Sequence, residues 1–149
     1  MKLVLGALAL LFVVSSCGST YSDEEISSFD KKIAKYLKKK NIECEKSPSG
    51  LYFKIIEKGE GRPIQYSDKV SFTYKGEFLN GEVFDEQKDP VEFDVKVLIG
   101  AWKEAVLKMN DGGKIFLVSP PQLGYGTNDL EDIPKSSILV FEMEITGVK

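Results

Sequence analysis

The side chains that most often carry catalysis are scarce in this chain. Its 149 residues include no histidine and only two cysteines, Cys17 and Cys44. Without histidine there is no Ser-His-Asp triad, no Cys-His pair, no histidine-bound metal and no histidine pH switch. Two cysteines are too few for a zinc cluster or for a scaffold of disulfides. Any chemistry must therefore depend on other residue types.

By pattern alone, Tyr125 is the aromatic residue least easily explained as part of a hydrophobic core. Asp85 directly follows Phe84, and Tyr125 lies between two glycines in a loop. Loops rarely expose a tyrosine without a function. By pattern alone, Asp85 is equally typical of a residue that caps a turn. Three further aromatic residues have spacings that by themselves are typical of a hydrophobic core: Tyr74, Trp102 and Phe141.

The chain begins with the layout of a secretory signal peptide. Lys2 precedes twelve apolar residues, 3–14, and the small residues Ser15 and Ser16 follow. Twelve helical residues cover roughly 18 Å, which is well short of the ~30 Å hydrocarbon core of a bilayer. We therefore expect a signal peptide over residues 1–16 and no permanent transmembrane helix.

The cysteine after this segment indicates lipidation. Val14-Ser15-Ser16-Cys17 resembles the lipobox of bacterial lipoproteins, in which the cysteine thiol receives a diacylglyceryl group and the signal is cut just before it. An ordinary signal peptide that happens to contain a cysteine is the alternative. The resemblance implies a membrane anchor through lipid on Cys17, and it leaves Cys44 as an unpaired thiol.

Composition and charge limit the class of protein and the kind of partner that this chain can have. The chain is 42% hydrophobic and 29% charged, with a net charge of −3. These values suit one folded domain and argue against global disorder. The mild acidity, with a pI near 5.2, argues against a nucleic-acid partner, since such proteins normally carry a basic face.

A tether and an amphipathic helix are predicted over residues 17–48. Ser22 and Glu25 have the spacing of a capping box, and an apolar stripe follows at helical spacing. The stripe consists of Ile26, Phe29, Ile33 and Leu37. We expect a helix over residues 23–39. Its lysines suggest either a membrane surface or a solvated face with the stripe docked on the domain, and the near balance of acids and lysines favours the second.

Residues 49–149 are predicted to form an α+β domain. Alternating or β-branched segments occur at 51–57, 69–75, 83–84, 91–97, 114–118 and 138–148. One short helix is predicted over residues 101–109, before Asn110-Asp111-Gly112-Gly113. Because no long helices connect the strands, we expect a twisted, mostly antiparallel sheet of five to six strands around that helix.

Several motifs in this domain resemble those of FKBP-type peptidyl-prolyl isomerases, in the order typical of that family. The motifs are Thr73-Tyr74-Lys75-Gly76, Asn80-Gly81-Glu82-Val83-Phe84-Asp85, Leu98-Ile99-Gly100-Ala101-Trp102, Leu123-Gly124-Tyr125-Gly126, Ile133-Pro134 and Leu139-Val140-Phe141-Glu142. The fold of that family agrees with the strands predicted independently. An additional helix before the domain is also similar to lipid-anchored bacterial members.

The resemblance implies a set of pocket residues. The catalytic group would consist of Tyr74, Phe84, Asp85, Trp102 and Tyr125. The substrate-binding walls would consist of Val91, Phe93, Leu98, Ile99, Ile133 and Phe141. Family members often have an aromatic residue where this chain has Val91, and the acidic segment 128–135 is also a departure. No cofactor or metal is implied, and macrolide-type FKBP ligands are expected to fit the pocket.

Two functions are consistent with this resemblance. The first is a lipid-anchored prolyl isomerase that assists protein folding in the bacterial cell envelope, on the periplasmic or outer-membrane side. The second is a chaperone or assembly factor that binds proline-containing segments with little turnover. The pocket residues favour the first, whereas Val91 and the acidic loop keep the second open.

Overall fold

The computed structural model describes residues 20–149. The predicted signal peptide and Cys17 therefore lie outside the described residues. Between residues 20 and 149, no helix has both the length and the apolar character needed to cross a membrane.

Helix α1 spans Asp23–Lys40 and has the predicted cap. The Ser22 hydroxyl oxygen accepts a hydrogen bond from the Glu25 N–H at 3.2 Å, and the Glu25 carboxylate accepts one from the Ser22 N–H at 2.8 Å. The helix ends at Asn41, whose φ of 54° is a left-handed conformation that asparagine tolerates. The predicted N-terminal amphipathic helix is confirmed.

Eight strands and a short helix follow α1 in the described chain. The strands are β1 (Glu45–Lys46), β2 (Tyr52–Glu57), β3 (Glu60–Pro63), β4 (Lys69–Phe78), β5 (Val83–Asp94), β6 (Asn110–Asp111), β7 (Lys114–Ser119) and β8 (Leu139–Val148). Six of them form an antiparallel sheet in the order β1-β2-β7-β8-β4-β5, and β3 pairs with β6 separately. Helix α2 spans Gly100–Val106.

Several segments differ from the pattern-based boundaries. Strand β5 is continuous through residues 83–94, and Val95–Val97 forms one 3₁₀ turn where a strand end was predicted. Val95 is fully buried, and its N–H donates to the Asp68 carbonyl at 3.0 Å as the last bond along β4 and β5. The turn then closes where the Leu98 N–H donates to the Val95 carbonyl at 3.2 Å. Helix α2 ends at Val106, before the predicted residue 109, and Asn110 already pairs in β6.

The sheet separates two hydrophobic clusters because side chains alternate across it. On one face, Leu117 and Phe141 pack with Trp102 of α2. On the opposite face, Phe116 and Val140 pack with the buried stripe of α1. The predicted fold class, an α+β antiparallel sheet around one short helix with a helix before it, is confirmed.

Candidate active site

Trp102 forms the centre of an aromatic cluster on the α2 side of the sheet. Its side chain is buried on α2. Three rings pack edge-on against it, with centroid distances of 5.3 Å to Phe72, 4.7 Å to Tyr74 and 5.1 Å to Phe141. Such edge-to-face geometry is favourable for aromatic pairs. The cluster therefore forms a closely packed apolar floor for a pocket.

Strand register determines which rings meet. Tyr74 and Phe72 are two residues apart on β4 and so lie on one face, and Phe141 of β8 is opposite Gly76. A Cβ atom on Gly76 would lie 2.6 Å from Phe84 and 2.9 Å from Phe141. Because Gly76 has no side chain, the ring centroids of Phe84 and Phe141 can lie 5.7 Å apart. Sequence reasoning did not assign Gly76 to the site, although a glycine inside a strand often indicates close packing.

Asp85 is the acid of the site, and it is bonded to Tyr74. It lies opposite Gly76 in the β4–β5 pair. The Tyr74 hydroxyl donates a hydrogen bond to the Asp85 carboxylate. Burial, followed by this bond and the charge of Asp85, raises the pKa of Tyr74 well above its usual value. The Tyr74 hydroxyl therefore stays protonated and holds Asp85 in one orientation.

Tyr125 lies on a loop near the same acid. The loop follows a 3₁₀ turn, Pro121–Leu123, and Gly126 adopts a φ of 59° while its N–H donates to the Pro121 carbonyl at 2.9 Å. Burial, with a further contribution from the Asp85 charge, raises the pKa of Tyr125 to about 12. The Tyr125 hydroxyl is therefore a hydrogen-bond donor at physiological pH.

The other predicted wall residues lie at varying distances from this centre. Leu98 and Ile133 are buried in the same cluster, and Ile99 is half-buried at the start of α2. Phe93 packs at 6.0 Å against Phe72, one ring removed from Trp102. Val91 is half-buried and lies opposite Phe72 on β4. The structure thus brings the five predicted catalytic residues and Phe141 together and surrounds them with the predicted walls.

The chemistry available in this centre is that of an apolar surface with hydroxyl donors. Within residues 20–149, no cluster of three or more Cys, Asp or Glu side chains is placed to hold a metal ion. The indole Nε1 of Trp102 is buried and has no hydrogen-bond partner in the described part of the chain. A buried donor of this kind is costly, and such costs are characteristic of functional sites. The centre can bind an apolar group and orient carbonyl oxygens.

A groove of about 460 Å³ on the opposite face of the sheet is a weaker candidate. Charged residues of its walls pair with one another, since Lys114 lies 3.8 Å from Glu144 and Lys88 lies 3.7 Å from Glu86. Paired surface charges leave little net attraction for a charged ligand. The aromatic centre is therefore the better candidate site.

The same residues fall inside a known family. Residues 60–146 match the family described as FKBP-type peptidyl-prolyl cis-trans isomerase. The chain belongs to this family. The sequence-based family prediction is thereby confirmed, and the aromatic centre of this FKBP-type protein lies within the matched segment.

Relatives of this FKBP-type protein occur in several bacteria. It is 36% identical over 118 residues to the FKBP-type isomerase FkpA of Escherichia coli strain K12, covering 77% of this chain and 43% of the relative. It is 38% identical over 123 residues to a probable FKBP-type isomerase of Haemophilus influenzae, covering 80% and 50%. The chain therefore spans about half the length of these curated relatives.

Solved structures also match the fold. The crystal structure of Escherichia coli FkpA matches with a TM-score of 0.73 and 34% identity, over 85% of this chain and 62% of that one. A Pseudomonas syringae isomerase matches with a TM-score of 0.73 and 24% identity, over 91% and 99%. At that identity the second likeness concerns the fold alone.

Proposed function

We propose that this protein is a peptidyl-prolyl cis-trans isomerase that assists the folding of proline-containing polypeptides in the bacterial cell envelope. Its membership of the FKBP-type family supports this activity. The observation that carries the proposal is that Tyr74 packs on the Trp102 ring and donates to Asp85, with Tyr125 near the same carboxylate. It joins an apolar base to fixed hydrogen-bonding groups without a nucleophile or a metal.

Prolyl isomerisation needs this combination because no bond is broken. The barrier to rotation about a peptide bond is ~18–20 kcal/mol, and it comes from conjugation between the carbonyl and the nitrogen. At the transition state the amide is twisted and this conjugation is lost. An apolar surround favours the twisted form over the planar, charge-separated amide, so the rings around Trp102 lower the barrier while they bury the proline.

The polar groups have separate roles in this proposal. Tyr125 donates its hydroxyl hydrogen to a substrate carbonyl, and Asp85, oriented by Tyr74, faces the backbone of the twisted segment. Interactions of this type accelerate the reaction when they are stronger in the transition state than in the planar substrate. Phe84 closes the apolar pocket. Val91, Phe93, Leu98, Ile99, Ile133 and Phe141 form the walls that accept the residues beside the proline.

The envelope location and the lipid anchor are part of the same proposal. Residues 1–16 have the layout of a signal peptide, and Cys17 ends a lipobox-like segment. We propose that Cys17 is lipidated and holds the protein at the membrane, with residues 17–48 as tether and helix and residues 49–149 as the isomerase domain. Macrolide-type FKBP ligands would compete with proline peptides for the pocket.

The test is a cis/trans assay on short proline peptides. Wild-type protein should accelerate isomerisation well above the uncatalysed rate. Tyr125→Phe and Asp85→Ala should each lower kcat/KM by about tenfold, which corresponds to ~1.4 kcal/mol of transition-state stabilisation. Two matched controls, Tyr66→Phe and Asp89→Ala, change exposed residues outside the centre and should retain wild-type rates.

The outcome also separates catalysis from simple binding. The single tryptophan, Trp102, allows peptide binding to be followed by fluorescence. Background isomerisation by wild-type protein, together with a clear fluorescence response to proline peptides, would contradict the isomerase proposal and indicate a binding protein instead.

A further inference from the structure

Tyr21 lies ahead of α1, yet it is almost completely enclosed. Only 4% of its surface is exposed. Its ring packs edge-on against Phe29 of α1, with centroids 5.1 Å apart. Its hydroxyl lies 3.0 Å from the Ser136 hydroxyl, a residue 115 positions later in the chain. The segment that leads into α1 therefore contacts the loop between Tyr125 and β8.

Ser136 connects this contact to the candidate active site. Its N–H donates to the Gly126 carbonyl at 2.7 Å, and Gly126 directly follows Tyr125. Ser136 itself has a φ of 59°, a left-handed conformation that few non-glycine residues adopt. Such a conformation persists only where surrounding contacts hold it. A hydrogen-bonded path thus runs from Tyr21 through Ser136 to the turn that carries Tyr125.

Most hydrogen bonds of this loop are internal to it. Residues 127–129 and 131–132 are exposed, and no strand or helix of the structure includes residues 127–138. Asn128 donates to the Tyr125 carbonyl, the Leu130 N–H donates to the Ile133 carbonyl, and the Lys135 N–H donates to the Asp129 carboxylate. Ile133 is fully buried in the core, so the Tyr21 contact is a second attachment of the loop to the packed part of the fold. Loops with exposed backbone open at low free-energy cost unless they are tied to a rigid element. Tyr21 is tied to α1, and α1 is packed on the sheet.

We propose that Tyr21 is a positioning residue, which acts through Ser136 to hold the 126–137 loop, and thereby Tyr125 and Ile133, in the geometry that binds the substrate peptide. The inference rests on the proposed isomerase function, and it deepens it. On this view the segment ahead of the domain is part of the support of the pocket. Peptide affinity then depends on a residue that touches no substrate.

The Tyr21 hydroxyl distinguishes a positioning role from simple packing of the ring. A tyrosine that only fills space would be replaced by phenylalanine without consequence, because the ring contact with Phe29 remains. Tyr36 supplies the matched control, since it lies on α1, packs in the same cluster and has no hydrogen bond to the loop. Comparing Tyr21→Phe with Tyr36→Phe therefore isolates the bond to Ser136.

The experiment measures kinetics and amide resonances in the whole chain, kept in mild detergent. Losing one hydrogen bond corresponds to roughly a three- to tenfold change in an equilibrium constant. Tyr21→Phe should therefore raise KM for proline peptides by about that factor and leave kcat within about twofold. Ser136→Ala should have the same effect, and the double variant should be no worse than either single variant. The amide resonances of Gly126 and Ser136 should move in Tyr21→Phe and stay in place in Tyr36→Phe.

Two results would overturn the proposal. One is a Tyr21→Phe variant with unchanged KM and unmoved Gly126 and Ser136 resonances. The other is an equal loss in Tyr36→Phe, which would indicate general destabilisation of α1. If the wild type does not isomerise peptides, the proposed isomerase function is wrong, and this result by itself says nothing about the role of Tyr21. Whether Tyr21 positions the 126–137 loop is then still tested by the same amide resonances and by peptide affinity measured through Trp102 fluorescence.

Discussion

At the scale of single residues, the site depends on protonated hydroxyls in an apolar setting. Tyr74 donates to Asp85, and Tyr125 is half-buried near the same carboxylate. Burial and a nearby negative charge both disfavour a phenolate, so each pKa lies above the ordinary value near 10. Both hydroxyls therefore keep their protons well above neutral pH.

This arrangement predicts a flat alkaline pH profile. Because the pKa of Tyr125 is raised to about 12 and that of Tyr74 is raised as well, the hydroxyls keep their protons through pH 10. The kcat/KM for a proline peptide should therefore stay within about twofold between pH 7 and pH 10, where an ordinary tyrosine would be half ionised. Circular dichroism at each pH verifies that the fold is retained. A fall in kcat/KM with a midpoint near 10 in folded protein would contradict the prediction.

At the scale of elements, α1 is an integral layer of the fold. Its buried residues meet Phe116, Val118, Ile138 and Val140, so the outer face of β7 and β8 is covered by the helix. Ile33 is fully buried at the centre of this contact. A second apolar cluster therefore stabilises the strands that carry Phe141 on their other face.

Truncating Ile33 should weaken the whole domain. Ile33→Ala leaves a cavity between α1 and the sheet, and such changes cost about 2–5 kcal/mol. Urea unfolding, followed by far-UV circular dichroism and by Trp102 fluorescence, measures the loss. Both signals should shift together, because α1 and the pocket share the same strands. Lys35→Ala, an exposed position on α1, is the control and should cost less than about 0.5 kcal/mol.

An Ile33→Ala variant as stable as wild type would indicate that α1 leaves the sheet in solution. A shift of the circular dichroism signal alone would indicate that the helix and the pocket unfold separately.

At the scale of the whole molecule, the proposed anchor and the folded layers are close in sequence. Cys17 precedes Tyr21 by four residues and the start of α1 by six. A lipid on Cys17 would thus hold the domain close to the membrane through a very short connection. Stable lipid attachment usually needs more than one acyl chain, which a diacylglyceryl group supplies.

Replacing Cys17 tests this arrangement. Cys17→Ser should abolish labelling by radioactive fatty acid and leave the signal peptide uncleaved, because the thiol is the atom that accepts the lipid. Cys44→Ser is the matched control, since Cys44 is a half-buried thiol in the described residues, and it should keep the label. Metabolic labelling and the apparent mass of both variants give the answer. An unlabelled wild-type protein would reject the lipid anchor.

Much of the fold could be read from local patterns. Capping and helical spacing predicted α1 from Ser22 to its lysine-rich end. Alternation predicted the strands of the main sheet except β1, which lies in the segment predicted as tether and helix. The short β3–β6 pair was not predicted, because its residues carry no apolar alternation and all except Asn110 are exposed. The 3₁₀ turn at Val95–Val97 was predicted as strand, because alternating valines suit either a strand end or a buried turn.

The candidate site was predicted by motif order, and its geometry was not. Phe84, Asp85 and Trp102 were named from the chain, but the bond between Tyr74 and Asp85 depends on the register of β4 against β5. Gly76 was read only as part of a motif, since its steric role appears when Phe84 and Phe141 converge on it. The contact of Tyr21 with Ser136 has no local signal at all.

The sequence by itself determined which segments become helices and strands and which residue types are present for chemistry, because capping, alternation and motif order are local properties of the chain. The tertiary structure alone decided which residues meet, from the ring contacts of Trp102 to the bond between Tyr21 and Ser136. The physical reason is that strand register and helix docking are selected by burial summed over the whole sheet. No single segment of the sequence determines that total burial.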